Sequence, residues 1–166
     1  MEIYAPTDGS IESLTNNFIG IYISEDDNHD IFMPFDGSIN FFTEEQGTFV
    51  DPSAWQFSSI FKAQPMKTAR LHLILASENK NFTNIHLIIE VGQGYITNKV
   101  GLLIKGNEKI KKGTKIGEII IGSRSYIAFQ QPFLFFESEK NIKIEAKIKG
   151  GETLLGVVKK QEGMFL

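Results

Sequence analysis

Ile116-Gly117-Glu118-Ile119-Ile120-Ile121-Gly122-Ser123-Arg124-Ser125-Tyr126-Ile127-Ala128-Phe129 reads as two β-branched, apolar strands broken at a Gly-Ser-Arg step. A glycine inside such a run marks a bulge, a bend, or a close backbone approach. A Gly-Ser bulge between two strands accounts for the step without further chemistry. The same residues allow a second reading. With no side chain on Gly122, the Ser123 hydroxyl has access to the Gly122 carbonyl carbon and can attack its own peptide bond.

Outward from this stretch, the chain is rich in short alternating runs between turn signals. Residues 10–14, 19–24, 37–42, 71–76, 85–91, 100–104, 116–121, 125–129, 142–148 and 153–158 read as strands. Residues 51–61 form the one helix candidate, with Asp51 to cap, Pro52 in the first turn, and Trp55, Phe57, Ile60 and Phe61 as apolar anchors. A mostly β fold is expected, a β-sandwich of the barrel-sandwich hybrid kind, with at most one or two short helices.

Two internal repeats suggest that its β-hairpin halves are duplicated. Ala5-Pro6-Thr7-Asp8-Gly9-Ser10-Ile11 parallels Met33-Pro34-Phe35-Asp36-Gly37-Ser38-Ile39, each placing Pro-x-Asp-Gly before a strand. Ile110-Lys111-Lys112-Gly113-Thr114-Lys115-Ile116-Gly117-Glu118-Ile119 parallels Ile148-Lys149-Gly150-Gly151-Glu152-Thr153-Leu154-Leu155-Gly156-Val157, strand, lysine-glycine turn, strand. Ordinary hairpin turns would leave the same trace.

Composition removes several classes of function. The chain has 166 residues and a net charge of -3, enough for one domain with a real core and no global basic field for nucleic acid. Without cysteine there are no disulfides, thiolate metal sites or thiol nucleophiles. The three histidines, His29, His72 and His86, make haem or zinc held by histidine alone an unlikely prospect, and no metal site is expected. No run approaches the ~18 apolar residues of a membrane span, and the first residues lack the pattern of a signal peptide. The expectation is a cytoplasmic protein, at most peripheral on a membrane.

Asp26-Asp27-Asn28-His29-Asp30 is an acidic cluster with one histidine. A solvated loop explains it; in an extended segment, Asp27 and His29 would share a side and Asp27 could orient the imidazole. A calcium loop is disfavoured, because the glycine and closing glutamate of an EF-hand are missing. His72 and His86 each sit in an apolar strand. Phe133-Leu134-Phe135-Phe136 reads as core, or as a wedge at a lipid interface. Lys105, Lys109, Lys111, Lys112 and Lys115 read as a solvated face that also suits anionic headgroups.

Taken in order, these signals resemble the phosphatidylserine decarboxylase family, closest to its short branch that includes archaetidylserine decarboxylases. The resemblance is carried by Ala5-Pro6-Thr7-Asp8-Gly9, by Asp27-Asn28-His29-Asp30 leading into Met33-Pro34-Phe35-Asp36-Gly37, and by Val91-Gly92-Gln93-Gly94. It continues in Lys112-Gly113-Thr114 with Gly122-Ser123-Arg124, and in Gly151-Glu152-Thr153-Leu154-Leu155. The chain departs from the family in lacking a histidine within 49–70, and in having Thr68-Ala69-Arg70 where the family has Asn-Glu-Arg.

The resemblance implies a single domain over 1–166, cut between Gly122 and Ser123 into a β chain (1–122) and an α chain (123–166). Ser123 would become a pyruvoyl group, the cofactor. That group takes up the substrate amine as a Schiff base and serves as electron sink, turning phosphatidylserine or a related serine phospholipid into the ethanolamine lipid and CO2. An alcohol nucleophile needs a base. His29 is the candidate for base or proton donor, Asp27 for its orienter, and His72 or His86 for auxiliary groups. Arg124, Lys99 or Arg70 would meet the phosphate. The implied partners are an anionic aminophospholipid and a membrane surface, without nucleic acid; a homo-oligomer is a further possibility. Two alternatives stand beside this reading: a catalytically degenerate relative that binds lipid headgroups, and a carrier domain of the biotinyl-lipoyl or phosphotransfer kind.

Overall fold

The computed structural model describes residues 1–45, 69–79, 81–91, 100–103, 108–119, 124–131 and 133–161. The described residues form strands and turns without a helix. In chain order the strands are β1 (Glu2–Tyr4), β2 (Gly9–Leu14), β3 (Phe18–Tyr22), β4 (Asp30–Phe32), β5 (Gly37–Glu45), β6 (Ala69–Ser77), β7 (Ile85–Val91), β8 (Val100–Leu102), β9 (Lys115–Ile119), β10 (Arg124–Phe129), β11 (Leu134–Ser138), β12 (Lys147–Ile148) and β13 (Leu154–Lys160). They make a seven-stranded sheet, β12-β2-β3-β10-β7-β6-β5, and two three-stranded sheets, β1-β13-β11 and β4-β9-β8. Every pairing is antiparallel and no sheet closes into a barrel.

Alternation decides which face is buried. Along β10, Ser125, Ile127 and Phe129 point into the core while Arg124, Tyr126 and Ala128 point out. Ile19 and Ile21 of β3, Ile85, Leu87 and Ile89 of β7, and Leu71, Leu73 and Leu75 of β6 complete the inner face. The two smaller sheets add Ile3, Ile31, Ile116, Ile119, Leu155 and Val158 to the same cluster, so all three sheets share one core. Each such side chain contributes roughly 1.5–3 kcal/mol by leaving water.

The duplication is present throughout this architecture. β4-β5-β6-β7-β8-β9 repeats the connectivity and pairing of β1-β2-β3-β10-β11-β13. Gly9 pairs with Ile148 as Gly37 bridges to Ile110. Asp8 accepts a hydrogen bond from the Gly150 N–H at 2.8 Å, and Asp36 accepts one from the Lys112 N–H at 2.8 Å. The halves also cross reciprocally: the Tyr4 N–H donates to the Pro34 carbonyl (2.9 Å) and the Phe32 N–H to the Pro6 carbonyl (2.7 Å). The two Pro-x-Asp-Gly turns are therefore equivalent parts of a two-fold design. Half two, residues 30–119, is inserted between β3 and β10 of half one, which places residues 23–29 and 120–123 at the junctions between the halves.

The segment 142–148 departs from its strand reading. Only Lys147–Ile148 is strand. Glu145 has φ +71°, and the Ile142 and Ala146 N–H groups close turns onto Glu139 and Lys143, so the alternation Ile-Lys-Ile does not become an extended run. Three strands arise where no strand is expected from the sequence, β1, β4 and β11. The helix candidate 51–61 lies outside the described residues.

Candidate active site

The strands that lead into and out of the two junctions are paired with one another. β3 ends with Tyr22 opposite Arg124, and β4 begins with Asp30 opposite Glu118. These two pairings bracket residues 23–29 on one side and 119–123 on the other. The bracket narrows further, because the Ile119 N–H donates to the His29 carbonyl at 2.8 Å. Gly122 and Ser123 lie outside the described residues. The described chain on either side of them, Ile119 and Arg124, is held by strands that flank the Asp27–His29 segment.

Within residues 23–29 the side chains converge on Ser24. The Asp27 N–H closes a turn onto the Ser24 carbonyl (3.2 Å), so this segment is a turn rather than an extended strand. The Asp27 carboxylate accepts hydrogen bonds from the Ser24 N–H (2.8 Å) and the Ser24 hydroxyl (3.0 Å). His29 Nε2 donates to the Ser24 carbonyl at 3.1 Å. Asp27 and His29 are thus brought together through Ser24 and not by the direct hydrogen bond that an extended segment would allow. A donated Nε2–H leaves Nδ1 of the neutral imidazole as the proton-accepting atom. The imidazole is partly buried, with its Nε2 engaged by the Ser24 carbonyl.

Both arginine candidates for a phosphate carry carboxylate partners. Arg124 makes a two-pronged contact with Glu12, Nε to Oε2 at 2.8 Å and a second nitrogen to Oε1 at 3.1 Å. That hydrogen bonding, above all, raises the guanidinium pKa further. Arg70 pairs with Glu90 at 2.5 Å, and Glu90 lies opposite Arg124 on the neighbouring strand. Tyr126, on the same outer face, has its phenol pKa pushed up by burial and by the Glu90 charge. Lys99 lies outside the described residues.

His72 and His86 stand apart from the junction. They occupy adjacent strands on the outer face of the large sheet, with His72 Nε2 and His86 Nδ1 at 2.7 Å. His86 is opposite Ala128, four residues along β10 from Arg124, or about 13 Å at strand rise. They form a pair of their own and do not join His29. Burial, followed by the neighbouring His72, lowers the His86 pKa. A base whose folded pKa is depressed binds its proton more readily when unfolded. Its contribution to stability is full above the unfolded value of about 6.5 and is lost as pH falls through the folded value. Melting temperatures are expected to drop on acidification below about 6.5, with a shallower drop in His86→Gln; an unchanged pH slope in that variant would discard the pair as its source.

Of the remaining surface candidates, Lys105 lies outside the described residues and Lys109 is exposed. Lys115 bridges Asp30 (3.0 Å) and Glu118 (2.6 Å), and Lys112 lies over the Tyr4 ring at 3.8 Å. Lys111 approaches Asp36 and Glu78. Leu134 and Phe136 enter the core, where Phe136 stacks on Phe129 at 5.7 Å, while Phe133 is exposed. Among the described residues no group of three or more His, Asp or Glu is placed to hold a metal ion, and no helix is long and apolar enough to cross a membrane.

Sequence reasoning missed Ser24, Glu12 and Glu90. Ser24 was within reach of it, since Ser-x-x-Asp is a common turn pattern. Glu12 is far along the chain from Arg124, and nothing local announces the contact.

No curated protein and no solved structure matches the chain. A family model does match, that of phosphatidylserine decarboxylase, over residues 6–156, and it spans both Pro-x-Asp-Gly turns, both junctions and the Gly122-Ser123 step between them. The chain belongs to the phosphatidylserine decarboxylase family.

Proposed function

We propose that this protein is a self-processing decarboxylase that acts on a serine phospholipid, phosphatidylserine or a close relative, at a membrane surface. The observation that carries the reading is the junction between the halves. The segment holding Asp27, Ser24 and His29 and the segment holding Gly122-Ser123 are bracketed by the same two strand pairings, in a chain of the decarboxylase family.

Processing uses the chain's own residues. Ser123 Oγ attacks the Gly122 carbonyl carbon, and its proton passes to His29 Nδ1. The C–N bond breaks as that proton is delivered to the departing nitrogen, leaving Gly122 esterified to the Ser123 oxygen. Loss of the residue 123 α-proton and of the Gly122 carboxylate breaks the ester and leaves a dehydroalanine. Its enamine shifts to an imine, water replaces the nitrogen, ammonia leaves, and the new chain end is a pyruvoyl group. That group supplies a ketone able to take up the substrate amine and accept the electrons released with CO2. In this reading His29 would return a proton to the substrate carbon. Arg70 and Arg124 are available to the lipid phosphate only by exchanging their carboxylate partners, and Lys99 is the third cation on offer.

Intact mass spectrometry of the purified protein tests the reading. Two chains divided between Gly122 and Ser123, the smaller with the mass deficit of a pyruvoyl end, are expected. A single full-length mass, stable over days, would overturn the processing step and favour a headgroup-binding relative without catalysis.

A further inference from the structure

The two halves differ at one buried place. In half one, Thr7 Oγ1 and Ser125 Oγ are hydrogen-bonded at 2.7 Å, and both residues are 0% exposed. The repeats align Thr7 with Phe35 through the two Pro-x-Asp-Gly turns. The registers align Ser125 with Ile85: Ile11 pairs with Ile21, which faces Ser125, as Ile39 pairs with Leu75, which faces Ile85. Phe35 and Ile85 are buried in the core. The fold therefore accepts a wholly apolar pair at this position, and two hydroxyls are not needed to build the sheet. Half one carries them, and it is half one whose β3-to-β10 path is interrupted at the Gly122-Ser123 step.

Position along the chain gives the difference a consequence. Ser125 is the second residue after Ser123. Arg124 is tied on the outer face to Glu12 of β2, and Ser125 on the inner face to Thr7 in the turn before β2. The two residues that follow Ser123 are thus held from both faces by β2 and the turn before it. Resting on the self-processing reading, we infer that Thr7 and Ser125 are positioning residues for that step. Their hydroxyl pair fixes the register and depth of the β10 start, from which the Ser123 nucleophile is presented, and keeps the new chain end in place after scission. Displacements of about an ångström suffice to slow a reaction that depends on alignment by on the order of a hundredfold.

The test follows the rate at which newly made full-length protein splits, in wild type, in Thr7→Val/Ser125→Ala, and in the exchanged pair Thr7→Ser/Ser125→Thr. The first double variant imitates half two and removes both hydroxyls together, so neither is left buried without a partner. It is expected to melt within a few degrees of wild type yet split on the order of tenfold or more slowly. The exchanged pair keeps both hydroxyls and is expected to split at close to the wild-type rate. Wild-type splitting in Thr7→Val/Ser125→Ala would overturn the inference, as would slow splitting in a well-folded exchanged pair, which would assign the effect to shape alone. Should Thr7→Val/Ser125→Ala not fold, Thr7→Val/Ser125→Val, which also lacks both hydroxyls and leaves less empty volume, takes its place with the same expected and overturning results. A wild-type protein that never splits would instead overturn the processing reading itself, so the wild-type control separates the two failures.

Discussion

Ser123→Ala is expected to leave the protein as one uncleaved chain of 18.7 kDa with no decarboxylase activity, and His29→Ala to slow splitting by about 10²–10⁴-fold, the usual contribution of a positioned acid or base. The first effect follows from removing the only atom that can attack Gly122 in the proposed step. The second follows from geometry. Nε2 of His29 is engaged by the Ser24 carbonyl at 3.1 Å, which leaves Nδ1 of the neutral imidazole as the proton-accepting atom. Asp27 touches Ser24 and not the imidazole, so Asp27→Asn is expected to do less harm than His29→Ala. Time-resolved gels and intact masses of freshly expressed protein measure all three. Splitting in Ser123→Ala would exclude Ser123 as nucleophile, and wild-type splitting in His29→Ala would remove His29 from the machinery.

Much of this arrangement can be read from the sequence, and the limits have physical causes. Alternation marks the inner face of β3, β6, β7 and β10, because a half-buried strand has no other way to place Ile19, Leu73, Leu87 and Ile127. The same rule fails over 142–148, where Glu145 takes a positive φ and leaves Ile144 exposed. The paired Pro-x-Asp-Gly turns are visible as a repeat, but their use is not. That Asp8 and Asp36 each hold the lysine-glycine turn of their own half depends on contacts between residues distant in sequence. The same holds for Arg124, whose partner Glu12 has no local signature. His29 is legible as a candidate, whereas its link to Asp27 through Ser24 depends on a turn that the acidic run does not announce. Pairing of His72 with His86 requires the register of β6 against β7, which the hairpin between them only hints at.

The insertion of one half into the other gives these contacts a common logic. A hairpin whose two strands join directly, as β6 and β7 do, has no exposed seam. Interrupting the equivalent β3–β10 connection creates two chain crossings between the halves. Such a crossing is a place where a peptide bond can be cut while the strands on both sides remain paired: β9 stays on β4, and β10 stays between β3 and β7.

A large stability loss is expected at Gly9, and its equivalent Gly37 provides the comparison. Gly9 has φ +150°, and a Cβ there would run into the Tyr22 carbonyl oxygen and lie 2.7 Å from Ile21 Cγ2. At Gly37 the corresponding Cβ would run into the Ala76 carbonyl oxygen, the repeat of Tyr22, without the positive φ. In both cases the obstacle is backbone, which cannot rotate away as a side chain can. Gly9→Ala combines that clash with a strained φ and is expected to cost about 3 kcal/mol or more, with Gly37→Ala somewhat less. Urea unfolding measures both as shifts in midpoint at constant slope; a loss below about 0.5 kcal/mol in Gly9→Ala would show that β2 and β3 can part at little cost. The two lesions should also differ in function. Displacing Tyr22 disturbs the strand opposite Arg124, whereas displacing Ala76 disturbs the β5–β6 pairing of the other half. At temperatures where both variants are folded, Gly9→Ala should split more slowly than Gly37→Ala. Equal splitting rates would mean that the register of β3 against β10 does not control the step.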